Sequence, residues 1–251
     1  MDRVNILGVG VNSVDMSRAL ERIERALAAN ERGYVCVTGV HGIMEAQADP
    51  TLKTILNRSL LTVPDGMPTV WIGKLRGFSI ERVFGPDLML KICEISVRRA
   101  CTHFLYGGPP GMAEQLKDVL LSKFPGLKIV GCYCPPFRPL TDSESQELRT
   151  WIAELRPDLF WVGLSTPKQE RFMADQIDRL DVKLMIGVGA GFDIHSGRRR
   201  DAPEWVKNAG LQWVHRILQE PNRLWKRYLV NNPKFVWMMT RQLLGKRYPL
   251  G

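Results

Sequence analysis

Four segments place chemically capable side chains directly after short β-branched runs. In Leu60-Leu61-Thr62-Val63-Pro64-Asp65-Gly66-Met67-Pro68 an apolar strand ends in a carboxylate, and Gly66 lets the backbone turn sharply. Asp65 is so placed for general-base work, although Asp-Gly is also the commonest turn dipeptide, and the motif alone favours the turn. In Thr102-His103-Phe104-Leu105-Tyr106-Gly107-Gly108-Pro109-Pro110-Gly111 a strand runs into a glycine pair and then a helix. Gly107 and Gly108 would let backbone N–H groups and a helix N-terminus approach an anion such as a diphosphate. The third segment, Val162 to Arg171, is again a strand end opening a helix. Pro167 suits its first turn, Ser165 or Thr166 can cap it, and Lys168 and Gln169 face a ligand. A cap explains Thr166-Pro167 but not Lys-Gln in a first turn, where acidic residues are usual. The fourth, Ile186-Gly187-Val188-Gly189-Ala190-Gly191-Phe192-Asp193, alternates three glycines after a strand. That implies close backbone approach by a ligand or a packed helix, with Asp193 able to accept from a sugar hydroxyl or a base edge.

Other chemistries are disfavoured. No Asp-x-Asp pair occurs, so a diphosphate leaving group would be neutralised by arginines and helix dipoles rather than by a carboxylate-held divalent ion. The four histidines, at 41, 103, 195 and 215, form no metal-spaced pair, and the five cysteines lack C-x-x-C spacing and read as reduced, buried thiols of a cytosolic protein. No metal and no cofactor is expected. Gly8-Val9-Gly10-Val11-Asn12-Ser13 imitates a dinucleotide fingerprint without its third glycine, which makes a nucleotide-sugar oxidoreductase a weak alternative.

The elements that must position these residues follow from the patterning. Strands are expected at Val4–Val9, Gly33–Thr38, Leu60–Val63, Thr102–Tyr106, Lys128–Tyr133, Leu159–Gly163 and Lys183–Val188. Amphipathic helices are expected near Ser17–Ala29, His41–Ala48, Pro50–Arg58, Asp87–Arg99, Gly111–Lys123, Ser143–Leu155, Lys168–Leu180 and from Pro203 onward. The alternation specifies an α/β fold, a Rossmann-like mainly parallel sheet flanked by helices, whose ligands lie beyond the carboxyl ends of the strands.

Charge divides the chain at Ser196. Residues 196–251 hold 12 Lys/Arg against 3 Asp/Glu and four of the seven tryptophans, whereas residues 1–195 balance at 23 against 23. The expected organisation is a catalytic domain over 1–195 and a basic, Trp-rich helical appendage over 196–251. No secretory signal and no membrane span is read from the sequence, so bilayer contact would be peripheral. Leu211, Val214, Ile217 and Leu218 follow helical spacing and are expected to pack on the body. Pro221 breaks or restarts the helix, and Arg223 and Arg227 share a face suited to phosphate, joined by Arg216 if the helix runs through. Further on, Phe235, Trp237, Met238, Met239, Leu243, Leu244 and Tyr248 are expected to enter a membrane interface, with Lys234, Arg241, Lys246 and Arg247 at anionic headgroups.

Taken together the segments resemble the WecG/TagA/CpsF family of bacterial glycosyltransferases. The resemblance spans nearly the whole chain: Pro64-Asp65-Gly66-Met67-Pro68, Glu81 to Asp87, Tyr106-Gly107-Gly108, Val162 to Glu170, Gly187 to Asp193, and Gly197-Arg198-Arg199-Arg200-Asp201-Ala202-Pro203 on to Tyr228. It implies metal-independent, inverting transfer of a sugar from a UDP-sugar to a polyprenyl-diphosphate-linked saccharide, in cell-surface or exopolysaccharide synthesis. It also implies a cytoplasmic protein held peripherally on the inner face of the cytoplasmic membrane. By position in these motifs Asp65 matches the family's base, Arg82 the arginine that steadies the departing diphosphate, and Gln169 a glutamine of the same pocket. Gly107, Gly108 and Asp193 are candidates for the UDP side, Gly189 for close approach of the substrate, and Arg216, Arg223 and Arg227 for the lipid diphosphate, with the tail covering the site. Many members carry Thr-x-Asn after the second strand, whereas this chain reads Val37-Thr38-Gly39-Val40-His41, so Thr38 or His41 is expected to replace the amide missing at Gly39. A nucleic-acid-binding protein that tracks phosphates with its tail is the alternative from another class; the neutral body counts against it, and nucleic acid is not an expected partner. A homo-oligomer is left open.

Overall fold

A computed structural model describes residues 1–250, apart from the side chains of Glu204, Asn208, Arg223, Lys226 and Arg227. The chain opens with an antiparallel hairpin, β1 (Arg3–Ile6) and β2 (Val9–Asn12), in place of the single strand expected at Val4–Val9. Leu7 and Gly8 both have positive φ (53° and 83°), the pair of left-handed residues that a tight two-residue hairpin turn requires. The fingerprint-like Gly8 and Gly10 therefore belong to this hairpin, where the Gly10 N–H donates to the Asn57 side chain. They do not form a strand-to-helix turn on the main sheet, which corrects the dinucleotide-like reading.

Six further strands form one sheet: β3 (Gly33–Thr38), β4 (Leu61–Pro64), β5 (Thr102–Gly107), β6 (Lys128–Tyr133), β7 (Leu159–Gly163) and β8 (Leu184–Gly187). Every pairing in it is parallel, in the order β4-β3-β8-β7-β5-β6. The chain builds outward from β3 to β4, crosses to β5 and β6, and then fills the centre with β7 and β8, so the crossovers that leave the neighbouring strands β5 and β7 run toward opposite edges of the sheet. Strand residues alternate between two buried layers. Phe160, Val162, Cys36 and Met185 face one core; Leu159, Trp161, Val35 and Ile186 face the other.

The second layer is covered by α1 (Met16–Ala28), α5 (Gly85–Arg99), α6 (Met112–Lys123) and α9 (Ala190–His195). Helix α1 starts with the Asp15 side chain accepting from the Arg18 N–H and buries Ala19, Ile23 and Ala26 along one stripe. The first layer is covered by α2 (Val40–Ala48), α3 (Pro50–Arg58), α7 (Asp142–Leu155) and α8 (Lys168–Gln176), together with the hairpin. Helix α4 (Met67–Leu75) directly follows Asp65-Gly66.

Beyond Ser196 come α10 (Glu204–Asn208), α11 (Gln212–Gln219) and α12 (Pro221–Leu243). Glu220, with φ −136° and ψ 62°, ends α11, and Pro221 starts α12, where a missing N–H costs nothing. Arg216 is thus on a different helix from Arg223 and Arg227. Two packing expectations are reversed here. Helix α11 buries none of its side chains, leaving Leu218 76% exposed, because it arches over a cavity instead of seating on the core. Helix α12 is anchored instead: Phe235 and Met239 are buried in the hairpin's core, with Met238 and Tyr248 packed against it. The Gln242 side chain accepts from the Leu7 N–H at 2.9 Å and donates to the Asn5 carbonyl at 3.2 Å. Those apolar residues cannot enter a bilayer while so packed; Val236, Trp237, Leu243 and Leu244 on the same stretch stay exposed. Among the described residues no helix is long and apolar enough to cross a membrane.

Candidate active site

A cavity of about 460 Å³ lies at the carboxyl ends of β4, β3, β8 and β7. Its floor comes from strand-end loops: Gly39 and His41 after β3, Asp65 and Gly66 after β4, Ser165 and Thr166 after β7, and Val188 and Gly189 after β8. Its roof comes from the chain beyond α9: Arg199 to Ala202, Lys207, Gln212, Trp213, Arg216 and Tyr228. A parallel sheet delivers every strand end to one rim, which is why loops more than a hundred residues apart in sequence meet here.

Asp65 sits on the wall with part of its side chain open to the cavity. Its N–H donates to the Thr38 carbonyl at 3.1 Å, its carbonyl accepts from Arg82 Nε at 2.7 Å, and its carboxylate accepts from the Gly85 N–H at 3.3 Å. The Asp-Gly pair therefore leads from a strand into α4 rather than closing a hairpin. Enclosure by the protein pushes the Asp65 carboxyl above the ordinary aspartate range; the charges of Arg82 and Arg216 and the Gly85 hydrogen bond oppose the rise without cancelling it. A carboxylate made more basic in this way, yet still flanked by cations, is suited to accept a proton.

Arg82 stacks on the Phe84 ring, 4.4 Å from its centroid, and donates to the Gln212 side-chain oxygen of α11. Arg216 reaches the cavity from α11 with its buried Nε unpartnered within the protein. Arg199 bridges Asp193, at 3.4 Å, and Glu220, and Lys207 pairs with Asp201 at 2.6 Å. Among the described residues five cationic side chains, Arg82, Arg199, Arg200, Lys207 and Arg216, thus face three carboxylates, Asp65, Asp193 and Asp201, around the cavity. That excess suits a diphosphate.

Of the residues singled out from sequence, Asp65, His41, Arg82, Gln169, Gly189, Asp193 and Arg216 come together on this cavity. Thr38 is buried beneath it, its hydroxyl without a partner, and its carbonyl accepts from the Asp65 N–H. Gly107 and Gly108 are not in the cavity wall. A Cβ on Gly107 would fall 2.6 Å from the Gly163 carbonyl oxygen, and one on Gly108 would fall 2.5 Å from Met112 Sδ, so close packing of β5 on β7 and α6 accounts for both glycines. The side chains of Arg223 and Arg227 lie outside the described residues. Lys168 is absent from the wall and instead stacks on Phe137, 4.2 Å from the ring centroid. Neither Ser165 nor Thr166 caps α8; the Thr166 hydroxyl donates to Glu170 at 2.8 Å. Sequence reasoning missed Arg199, Lys207, Gln212, Trp213 and Tyr228 as wall residues. The Arg198-Arg199-Arg200 run marked a boundary in composition but carried no signal that the chain folds back over the strand ends. Among the described residues no three His, Cys, Asp or Glu side chains are grouped to hold a metal ion.

Residues 4–249 match the family model described as "Glycosyl transferase WecG/TagA/CpsF family". The chain belongs to this family. Among its relatives is an N-acetylglucosaminyldiphosphoundecaprenol N-acetyl-beta-D-mannosaminyltransferase of Bacillus spizizenii strain W23, 27% identical over 224 residues, covering 88% of this chain and 84% of the relative. A Bacillus subtilis strain 168 protein with the same name is 27% identical over 201 residues, covering 78% and 75%. Family membership assigns the chain to the glycosyl transferases, and within that assignment the cavity is the place where Asp65 and the cationic side chains converge.

Proposed function

We propose that this chain transfers a sugar, with inversion and without a metal ion, from a UDP-sugar to a saccharide carried on a polyprenyl diphosphate. The observation that carries the reading is the setting of Asp65: a carboxylate of raised basicity on the cavity wall, close enough to Arg82 and Arg216 to feel both charges. In the reaction the acceptor hydroxyl gives its proton to Asp65 as its oxygen bonds to the anomeric carbon. The bond from that carbon to the diphosphate oxygen breaks on the opposite face, and UDP departs with the electron pair. Arg82 and Arg216 offset the charge that develops on the leaving group. The names of the Bacillus relatives make UDP-N-acetylmannosamine the first donor to try and an N-acetylglucosaminyl-diphosphate lipid the first acceptor, while Gly39, where many members carry an amide, leaves this chain its own sugar preference.

The reading extends to the segment after Ser196, proposed as an appendage that covers the site and docks on the inner face of the cytoplasmic membrane. Exposed Trp205, Trp213, Leu218, Trp225, Leu229 and Trp237, interspersed with basic residues, support it. The test is a screen of UDP-sugars against short-chain polyprenyl-diphosphate acceptors, with products weighed by mass spectrometry and the anomeric configuration read by NMR. An inverted glycoside formed equally well in EDTA is expected. A retained configuration, or loss of transfer in EDTA restored by a divalent ion, would overturn the mechanism.

A further inference from the structure

Gln169 lines the cavity with its amide held from several sides. Its Oε1 accepts from the Gly189 N–H at 3.1 Å, and its Nε2 donates to Glu170 Oε1 at 3.1 Å. A Cβ on Gly187 would lie 3.0 Å from Nε2, so the glycine leaves just enough room for this amide orientation. Glu170 itself is 1% exposed and does not line the cavity. Its Oε1 also accepts from the Thr166 hydroxyl, and its buried Oε2 has no partner within the protein. Among the described residues no lysine, arginine or histidine is hydrogen-bonded or ion-paired to it. A carboxyl buried without a counter-charge is costly as a surface-style ion, so its place needs another reason.

We propose that Glu170 is a positioning residue: through Oε1 it fixes the amide plane of Gln169 and the hydroxyl of Thr166, leaving one Gln169 N–H free to bind the substrate in the cavity. With Oε1 already engaged by the Gly189 N–H and one Nε2 hydrogen held by Glu170, the second Nε2 hydrogen is the donor that Gln169 offers the ligand. It therefore selects an acceptor oxygen, such as a carbonyl, hydroxyl or phosphate oxygen of the nucleotide-sugar. Burial raises the Glu170 carboxyl above the ordinary glutamate range, and Oε1 is the oxygen that does the accepting. Glutamine reproduces that acceptor and leucine does not. The proposal rests on the sugar-transfer reading for its substrate, but its geometric part can be read without substrate.

The experiment has two arms on the full chain. In the first, the Gln169 side-chain amide signal is identified in a nitrogen-15 NMR spectrum by its loss in Gln169→Ala. It should be dispersed and slow to exchange in the wild type and Glu170→Gln, and move toward the free-amide position in Glu170→Leu. In the second arm, kcat/KM for UDP-N-acetylmannosamine is measured with a short-chain polyprenyl-diphosphate N-acetylglucosamine acceptor. Glu170→Leu and Gln169→Ala should each lose roughly tenfold, about one hydrogen bond's worth, and the double variant no more than either alone. Glu170→Gln should stay within about twofold of the wild type on the same scale. Losses that multiply in the double variant, an unmoved Gln169 signal in Glu170→Leu, or a loss beyond tenfold in Glu170→Gln would each overturn the proposal. The glutamine variant keeps it refutable if the leucine variant fails to fold. A wild type that transfers no sugar while the NMR contrast holds would sink the functional reading and leave the Glu170 clamp standing.

Discussion

Two side chains on one helix, two residues apart, should answer in opposite ways. Phe235 is 4% exposed in the core shared with the hairpin, whereas Trp237 is 57% exposed beside Arg241. Phe235→Ala removes a ring from a closed core that also holds Val4, Ile6 and Met239. A buried phenylalanine removes about 150 to 250 Å² from water, and with the cavity left behind the truncation costs roughly 3 to 5 kcal/mol. For a chain of this size each kcal/mol moves the melting midpoint by about 2 to 4 °C, so a drop of at least about 6 °C is expected. Trp237→Ala breaks no core contact and should change stability by less than about 0.5 kcal/mol. Binding to vesicles rich in anionic lipid should show the reverse: loss in Trp237→Ala, and none in Phe235→Ala below its melting temperature. Calorimetric melting and vesicle co-sedimentation measure both. Equal melting temperatures for wild type and Phe235→Ala would refute the packing of α12 on the hairpin, and with it the revised view of which residues face a membrane.

Gly107→Ala should destabilise by more than about 2 kcal/mol, because the new methyl meets the Gly163 backbone and φ is 142° there; urea denaturation checks this, and a neutral result would return Gly107 to the list of ligand contacts. Asp65→Asn should alter stability with a definite sign. The carboxyl is pushed up in the fold, so its contribution to stability is present below the unfolded value and is lost as pH rises through the folded one. The neutral amide therefore gains on the wild type at pH 7, and that gain disappears in acid; a gain that grows on acidification would contradict the direction of the shift. Gly187→Ala presses on the Gln169 amide and on Met173, and should lower kcat/KM for the UDP-sugar with only a modest fall in melting temperature.

Much of the sheet was readable because most of its strands are short apolar runs between glycines, prolines or polar residues, the pattern of parallel strands buried on both faces. The hairpin was not, since its turn is Leu7-Gly8 and lacks the asparagine or aspartate that usually advertises two left-handed residues. Helix α4 was missed because Met67 to Leu75 is apolar on nearly every side: Thr69, Val70 and Gly73 are buried while Trp71 and Leu75 are exposed, so no polar stripe marks it. At the site, strand-end positions pointed to Asp65, Gln169, Gly189 and Asp193, because topology alone sends them to one rim. That the tail covers the site came only with the family resemblance, and local spacing did not say which residues besides Arg216 line the roof. Arg199 takes its place through Asp193 and Glu220, and Gln212 through Arg82; such pairings depend on how the chain folds back, which no local spacing encodes. The tail misled in the same way, since amphipathic spacing at 211–218 and at 235–248 looks alike until the core decides which stretch it will cover.

The central claim is that Asp65 takes the acceptor's proton. Its most direct test is single-turnover transfer by Asp65→Asn, with UDP affinity measured on the same preparation by calorimetry. The transfer rate should fall by about 10² to 10⁴-fold with UDP affinity unchanged, the signature of a lost general base in an intact site. Transfer at the wild-type rate by that variant would contradict it.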